Sequence, residues 1–143
     1  PDYTNGVLDL YFNSDYDRVG VVCENFDIAI AGTGRVIGNV RITYDDMRDN
    51  FLGNIGYKLS HQYRGNGYML QVLEILKKPM LDKGLEKPII TTAPGNTASI
   101  RTIEKFGGKR IENDDWYNIY EVDLTEKTGK SKWNIWGDII VFI

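Results

Sequence analysis

The chain of 143 residues contains one cysteine, Cys23, and one histidine, His61. A lone thiol forms no intramolecular disulfide and no paired-cysteine metal motif, and one imidazole beside it leaves too few soft ligands for structural zinc. No metal site is expected, and a reducing cytoplasm is the default location. Charge of one sign is scarce too: 17 Lys and Arg stand against 20 Asp and Glu, a formal net charge of −3, with the basic residues scattered singly. Nucleic-acid phosphates call for a concentrated cationic face, so nucleic acid is not an expected partner. The longest nearly uninterrupted apolar stretch, Ile139 to Ile143, is far short of the roughly 20 residues a bilayer-spanning helix requires, and no membrane partner is expected. The chain opens Pro1-Asp2-Tyr3 without an initiator Met or a basic-then-apolar leader, which predicts that sequence is missing before residue 1. What is present, 42% hydrophobic and 26% charged residues, suits one globular domain spanning 1–143 with a real core.

Periodicity and punctuation divide that domain. Val7 to Phe12 reads as a strand and Asn13 to Glu24 as a polar loop. Phe26, Ile28 and Ile30 alternate with polar or small neighbours, and Val36 to Tyr44 alternates again after Gly32-Thr33-Gly34, which predicts a β-hairpin. Asp45 to Asn50 is a loop and Asn54 to Leu59 a further strand. Met69, Val72, Leu73, Leu76 and Met80 then recur at spacings of three and four, the stripe of an amphipathic helix starting near Gly67. Pro79 is expected to kink that helix or end it a turn early, and Gly84 to stop it. Pro88 to Ala93 predicts a buried strand, and Thr97 to Phe106 a second helix capped by Gly107-Gly108. Trp116 to Leu124 and Trp133 to Phe142, around the turn 125–131, predict a terminal hairpin whose rings on both faces imply burial on both sides or an oligomer contact.

One segment carries chemistry. In His61-Gln62-Tyr63-Arg64-Gly65-Asn66-Gly67-Tyr68, two glycines spaced by one residue stand where a strand gives way to a helix. They let the backbone approach a ligand and turn several N–H groups inward, while the helix N-terminus adds partial positive charge. Such a bend suits a phosphate or diphosphate, with Arg64 as a charged contact. Asn66-Gly67-Tyr68-Met69-Leu70 supplies no third glycine, which disfavours a dinucleotide fingerprint. Gly129-Lys130-Ser131 lacks the glycine a P-loop requires five positions earlier, where Leu124 stands.

Gln62-Tyr63-Arg64-Gly65-Asn66-Gly67 satisfies every fixed position of the pattern Gln/Arg-x-x-Gly-x-Gly/Ala, and about 30 residues on, Asn96-Thr97-Ala98-Ser99 leads to Glu104-Lys105-Phe106-Gly107-Gly108. With these motifs, and over roughly Phe26 to Trp136, the chain resembles the GNAT superfamily of acyl-CoA-dependent N-acetyltransferases, with Gly53-Asn54-Ile55-Gly56-Tyr57 closest to a bacterial-type subgroup. The resemblance implies an α+β fold: a mixed, mostly antiparallel sheet of six to seven strands flanked by helices, with a splayed parallel pair at the coenzyme A site. It implies acetyl-CoA as cosubstrate and no metal. Amides from Arg64 to Tyr68, including Gly65, Asn66 and Gly67, would hold the diphosphate in a loop opened by Gln62. The strand ending Tyr57-Lys58-Leu59 would splay from Ile90–Thr92 and bond to the pantetheine arm. Asn96 would contact pantetheine, and Ser99, Arg101 and Lys105 would lie nearest the coenzyme tail.

The resemblance further implies direct attack by a small-molecule or peptide amine on the thioester in a ternary complex. It departs from the family at the acid, since the usual tyrosine seven residues after Asn96 is Ile103. Tyr120, with Tyr117, is nominated in its place, Asp46 or Asp45 as the base, and Tyr57 as a further catalytic group on the splayed strand. The missing tyrosine keeps a second reading open, a non-catalytic acyl-CoA-binding module. His61 reads as an exposed loop residue, Cys23 as a buried apolar one, and the terminal Trp and Ile cluster as core and dimer surface, leaving room for a homodimer. Where the family walls its acceptor pocket with helices, this chain is expected to have only the loop Asn13 to Glu24.

Overall fold

The computed structural model describes residues 1–17, 22–47, 52–113 and 115–126, with backbone alone for 15–17 and 22. Five strands, β1 (Tyr3–Thr4), β2 (Leu8–Asp17), β3 (Val22–Ile30), β4 (Val36–Thr43) and β5 (Ile55–Leu59), form an antiparallel sheet in sequence order. Helix α1 (Tyr68–Asp82) follows, then β6 (Ile89–Thr92), α2 (Thr97–Lys105), β7 (Gly108–Asn113) and β8 (Asn118–Val122), with a second sheet ordered β6-β8-β7. The α+β class is as expected, but the sheet is divided: the described ladders are all antiparallel, and none joins β5 to β6. Among the described residues no helix is long and apolar enough to cross a membrane.

The period-two pattern sets one apolar face. Leu10, Phe26, Ile28, Val40, Ile42 and Ile55 meet Met69, Val72, Leu73, Leu76 and Met80 of α1 in a single buried cluster that continues through Ile90, Ile103 and Tyr120. Three expectations need correction. Asn13 to Glu24 is not a loop, because β2 runs to Asp17 and β3 begins at Val22. A bulge between Phe12 and Ser14 slips the alternation by one residue, so the ladder continues as Ser14↔Asn25 and Asp15↔Glu24 while the sequence pattern looks irregular. Pro79 does not end α1 early. It forfeits only its own donor close to the helix end, and the buried Met80 holds the last turn in place. The stop falls as predicted at Gly84, whose φ of +88° places it in the left-handed region; Leu85 N–H bonds to Met80 C=O at 2.9 Å and Gly84 N–H to Leu81 C=O at 3.0 Å, a Schellman cap.

The third correction concerns the last hairpin. β8 pairs with β7, which precedes it, and Trp116 lies outside the strand with 75% of its surface exposed. β7 escaped the pattern because its Lys109-Arg110-Ile111-Glu112-Asn113 is exposed throughout and has almost no apolar beat. The predicted partner strand Trp133 to Phe142 and most of its turn lie outside the described residues.

The two sheets are pinned at one point. Asn54, 2% exposed, donates its backbone N–H to Ile89 C=O at 2.7 Å, and its Oδ1 accepts from Ile89 N–H at 2.7 Å. Its Nδ2 donates to Thr43 C=O at 2.7 Å and to Asp45 C=O at 2.9 Å. Gly53 permits the approach, since its φ is +67° and a Cβ there would sit 2.7 Å from the Ile89 oxygen. Beyond this clamp β5 and β6 part. Replacing Asn54 with alanine strands the buried Ile89 donor and two carbonyls, and about 2–4 kcal/mol of folding free energy should be lost. Urea denaturation followed by tryptophan fluorescence checks this; an unchanged midpoint would show that the clamp contributes nothing.

Candidate functional site

At the end of β5 the chain turns through Ser60, whose N–H bonds to Ile37 C=O at 2.8 Å, and a single 3-10 turn, His61–Tyr63. Gly65 and Gly67 follow with φ of +82° and +72°, and a Cβ at either would meet nothing within 4 Å. They are glycines for their left-handed backbone, and the space beside them is open. The first α1 hydrogen bond runs from Gln71 N–H to Gly67 C=O at 3.3 Å, and Gly67 offers no capping side chain. The amides from Gly65 through Leu70 therefore have no acceptor among the described residues. No acidic residue stands in the first turn of α1 to offset the positive helix end. A run of amides without acceptors at a helix start is suited to holding an anion.

Arg64 is tied to this bend: its Nε donates to Leu59 C=O at 3.0 Å, so the guanidinium is oriented from the end of β5. Asn66 braces the loop through Nδ2 to Tyr63 C=O at 3.3 Å, Gln62 and His61 are exposed, and Tyr68 is half-buried where α1 begins. The opposite wall of the opening is α2. Asn96 caps it, its Oδ1 accepting from Ser99 N–H at 3.1 Å, so one side-chain oxygen of this residue is already committed to holding the helix. Ser99 Oγ and Tyr57 Oη lie 2.8 Å apart, joining α2 to the middle of β5 across the gap between the sheets. Burial raises the Tyr57 phenol above its usual range and the bond to Ser99 pulls it partly back. Arg101 and Lys105 are exposed along α2.

The remaining nominations fall elsewhere. Tyr120 is 2% exposed within the core, facing Ile90 and Arg110 across β8, and Ile103 is likewise fully buried. Tyr117 is half-buried beside β8. Asp45 and Asp46 are exposed just past β4, at the Asn54 end of β5. With a strand rise of ~3.3 Å per residue, that end is roughly 16 Å from the phosphate-type cradle. Cys23 is buried, as expected, and its thiol also lies 3.3 Å from Thr43 Oγ1. No group of three or more His, Cys, Asp or Glu side chains that could hold a metal occurs among the described residues. A cavity of about 790 Å³ lies between β1 and α1, lined by Tyr3, Ile75, Pro79 and Lys83 among others and not by Tyr57 or Ser99, so volume alone does not mark this site. Sequence reasoning missed the clamp at Asn54; the only sign of it was a Gly-Asn pair at the head of a strand that is otherwise apolar on one face.

Residues 5–109 match the family model described as the acetyltransferase (GNAT) domain, and the chain belongs to this family. Solved structures share its fold. An acetyltransferase from Agrobacterium tumefaciens superposes with a TM-score of 0.58 at 20% identity, over 69% of this chain and 60% of that one. A GNAT-family acetyltransferase from Bacillus anthracis gives 0.56 at 23% identity, over 71% and 67%. A microcin self-immunity acetyltransferase, solved with acetyl-CoA and AMP, gives 0.57 at 19% identity, over 71% and 61%. This chain thus spans less than two thirds of the length of the first of these. No curated protein sequence matches it.

The Tyr57–Ser99 contact gives a direct test of the opening. Because the serine hydroxyl lowers the phenol against the effect of burial, Ser99→Ala should move the Tyr57 transition to higher pH. Ultraviolet difference titration of the serine variant, with Tyr57→Phe as the blank, reads this; an unchanged transition would mean that the two groups do not touch.

Proposed function

We propose that the protein transfers an acetyl group from acetyl-CoA to a primary amine by direct attack in a ternary complex. The supporting observation is the row of unpaired amides from Gly65 through Leu70 at the mouth of an opening between β5 and β6. A diphosphate on those amides sends the pantetheine arm back along β5. As the edge of its sheet, β5 has backbone groups free of a ladder partner among the described residues. Arg64 adds charge at the diphosphate, Gln62 and Tyr68 frame it, and Asn96, Ser99 and Lys105 flank the arm from α2.

In the reaction the neutral amine nitrogen attacks the thioester carbon, and a backbone N–H of β5 steadies the oxyanion. Collapse breaks the C–S bond and the sulfur departs with its electron pair. Tyr57, held by Ser99 and kept protonated by its burial, donates a hydrogen bond to that sulfur, and the proton that completes the thiol is drawn from solvent. The amine proton passes to Asp46 or, through water, to Asp45 at the same end of β5. Tyr57 is the better acid candidate than Tyr120, which the core encloses. The buried Ile103 at the family's tyrosine position favours a second reading, a non-catalytic acyl-CoA-binding module.

Calorimetry with acetyl-CoA should show saturable binding, and Gly65→Glu, which puts a carboxylate into the open cradle, should abolish it while the circular dichroism spectrum is kept. Release of free thiol with a panel of amines then separates the readings, because binding without any thiol release supports the module. Tyr57→Phe should lower kcat about 10–100-fold with little change in the KM for acetyl-CoA. Equal rates would remove Tyr57 from the chemistry.

A further inference from the structure

The five-stranded sheet has two faces, and cross-strand register assigns them. Phe26, Val40 and Tyr57 share the face packed by the helices; Asn25, Arg41 and Gly56 lie in one row on the other, followed by Asp27, Asn39 and Lys58 in the next. Arg41 is half-buried and its guanidinium lies flat on β5: Cζ, Nη1 and Nη2 are each 3.0 Å from where a Cβ on Gly56 would stand. Glycine at position 56 is what gives the guanidinium its seat. The group is poorly satisfied. Nη2 reaches Leu52 C=O at 3.4 Å, while Nε is buried without an acceptor, and so is Nδ2 of Asn25 directly across the strand pair. Asp27, the nearest carboxylate on this face by register, accepts from Asn13 Nδ2 at 3.0 Å and makes no ion pair with Arg41 among the described residues.

Among the described residues neither buried donor has an acceptor, and the half-buried Arg41 leaves the rest of its guanidinium accessible to one from outside. A guanidinium is a planar fork matched to two oxygens in one plane, which is the shape of a carboxylate. The location supplies the reason. Gly56 directly precedes Tyr57 on the strand proposed to guide the thioester, and with α1 and α2 covering the other face, an acceptor reaches β5 from the side on which Arg41 lies.

We infer that the acceptor is an amine that also carries a carboxylate, and that Arg41, assisted by Asn25, is the specificity-determining residue that holds it. This rests on the acetyl-transfer reading and names the substrate class of that site. The test is a binding comparison on protein saturated with coenzyme A, using calorimetry with matched pairs: lysine against cadaverine, and β-alanine against ethylamine, with phosphoethanolamine as a third probe. The carboxylate member should bind roughly tenfold or more tightly, the worth of one charge-assisted hydrogen bond. Arg41→Gln should erase the difference, and Arg41→Lys should restore part of it. Should the glutamine variant fail to fold, Gly56→Ala, which displaces the guanidinium, carries the same comparison. Equal binding within the pairs, tighter binding of phosphoethanolamine, or discrimination that survives Arg41→Gln overturns the inference. Absence of saturable acetyl-CoA binding sinks the acetyl-transfer reading instead, so the two failures are separable.

Discussion

Everything in this chain that bears on chemistry depends on a clamp made by one buried side chain. Asn54, at the head of β5, ties β6 to the β4–β5 pair: its oxygen takes the Ile89 amide at the head of β6, and its nitrogen holds carbonyls at and just past the end of β4. An amide suits this place because it presents an acceptor and two donors on one planar group. Aspartate offers no donor for the carbonyls, and leucine offers neither. With the two sheets fixed at one end and without a joining ladder beyond it among the described residues, the parting of β5 from β6 is a property of the backbone.

The other half of the site needs almost no side chains. The bend after β5 works through main-chain amides, two left-handed glycines and the start of a fifteen-residue helix. Its side chains mostly serve the loop itself: Arg64 bonds to Leu59 and Asn66 to Tyr63. Structures at 20% identity and below share the fold, and a bend that works through its backbone leaves most of its surrounding side-chain positions free to differ.

Much of this was legible in the sequence. The Gly65 and Gly67 bend, the stripe of α1 and its stop at Gly84 follow from spacing and from backbone conformations that few residues adopt, both local properties. What was not legible was non-local. Asn13 to Glu24 looked like a loop because a bulge shifts the alternation, and only pairing with the neighbouring strand reveals the ladder. β7 carries no apolar beat because it is an edge. The capping role of Asn96 and the burial of Tyr120 come from the packed structure, and Arg41, a basic residue in an alternating strand, reads along the chain as part of a solvated face. Its buried Nε depends on what packs around it, which no pattern along the chain encodes.

The β3–β4 hairpin has a consequence for how such a protein diversifies. Where a pocket is bounded by loops or helices, changing the guest usually means inserting, deleting or moving main chain. In the proposed site the boundary is a ruled surface of strands, with positions 25, 27, 39 and 41 set at fixed intervals by hydrogen bonds that do not involve their side chains. Preference can then drift one residue at a time, each exchange leaving the frame untouched, so that near-identical backbones across a lineage would conceal quite different diets.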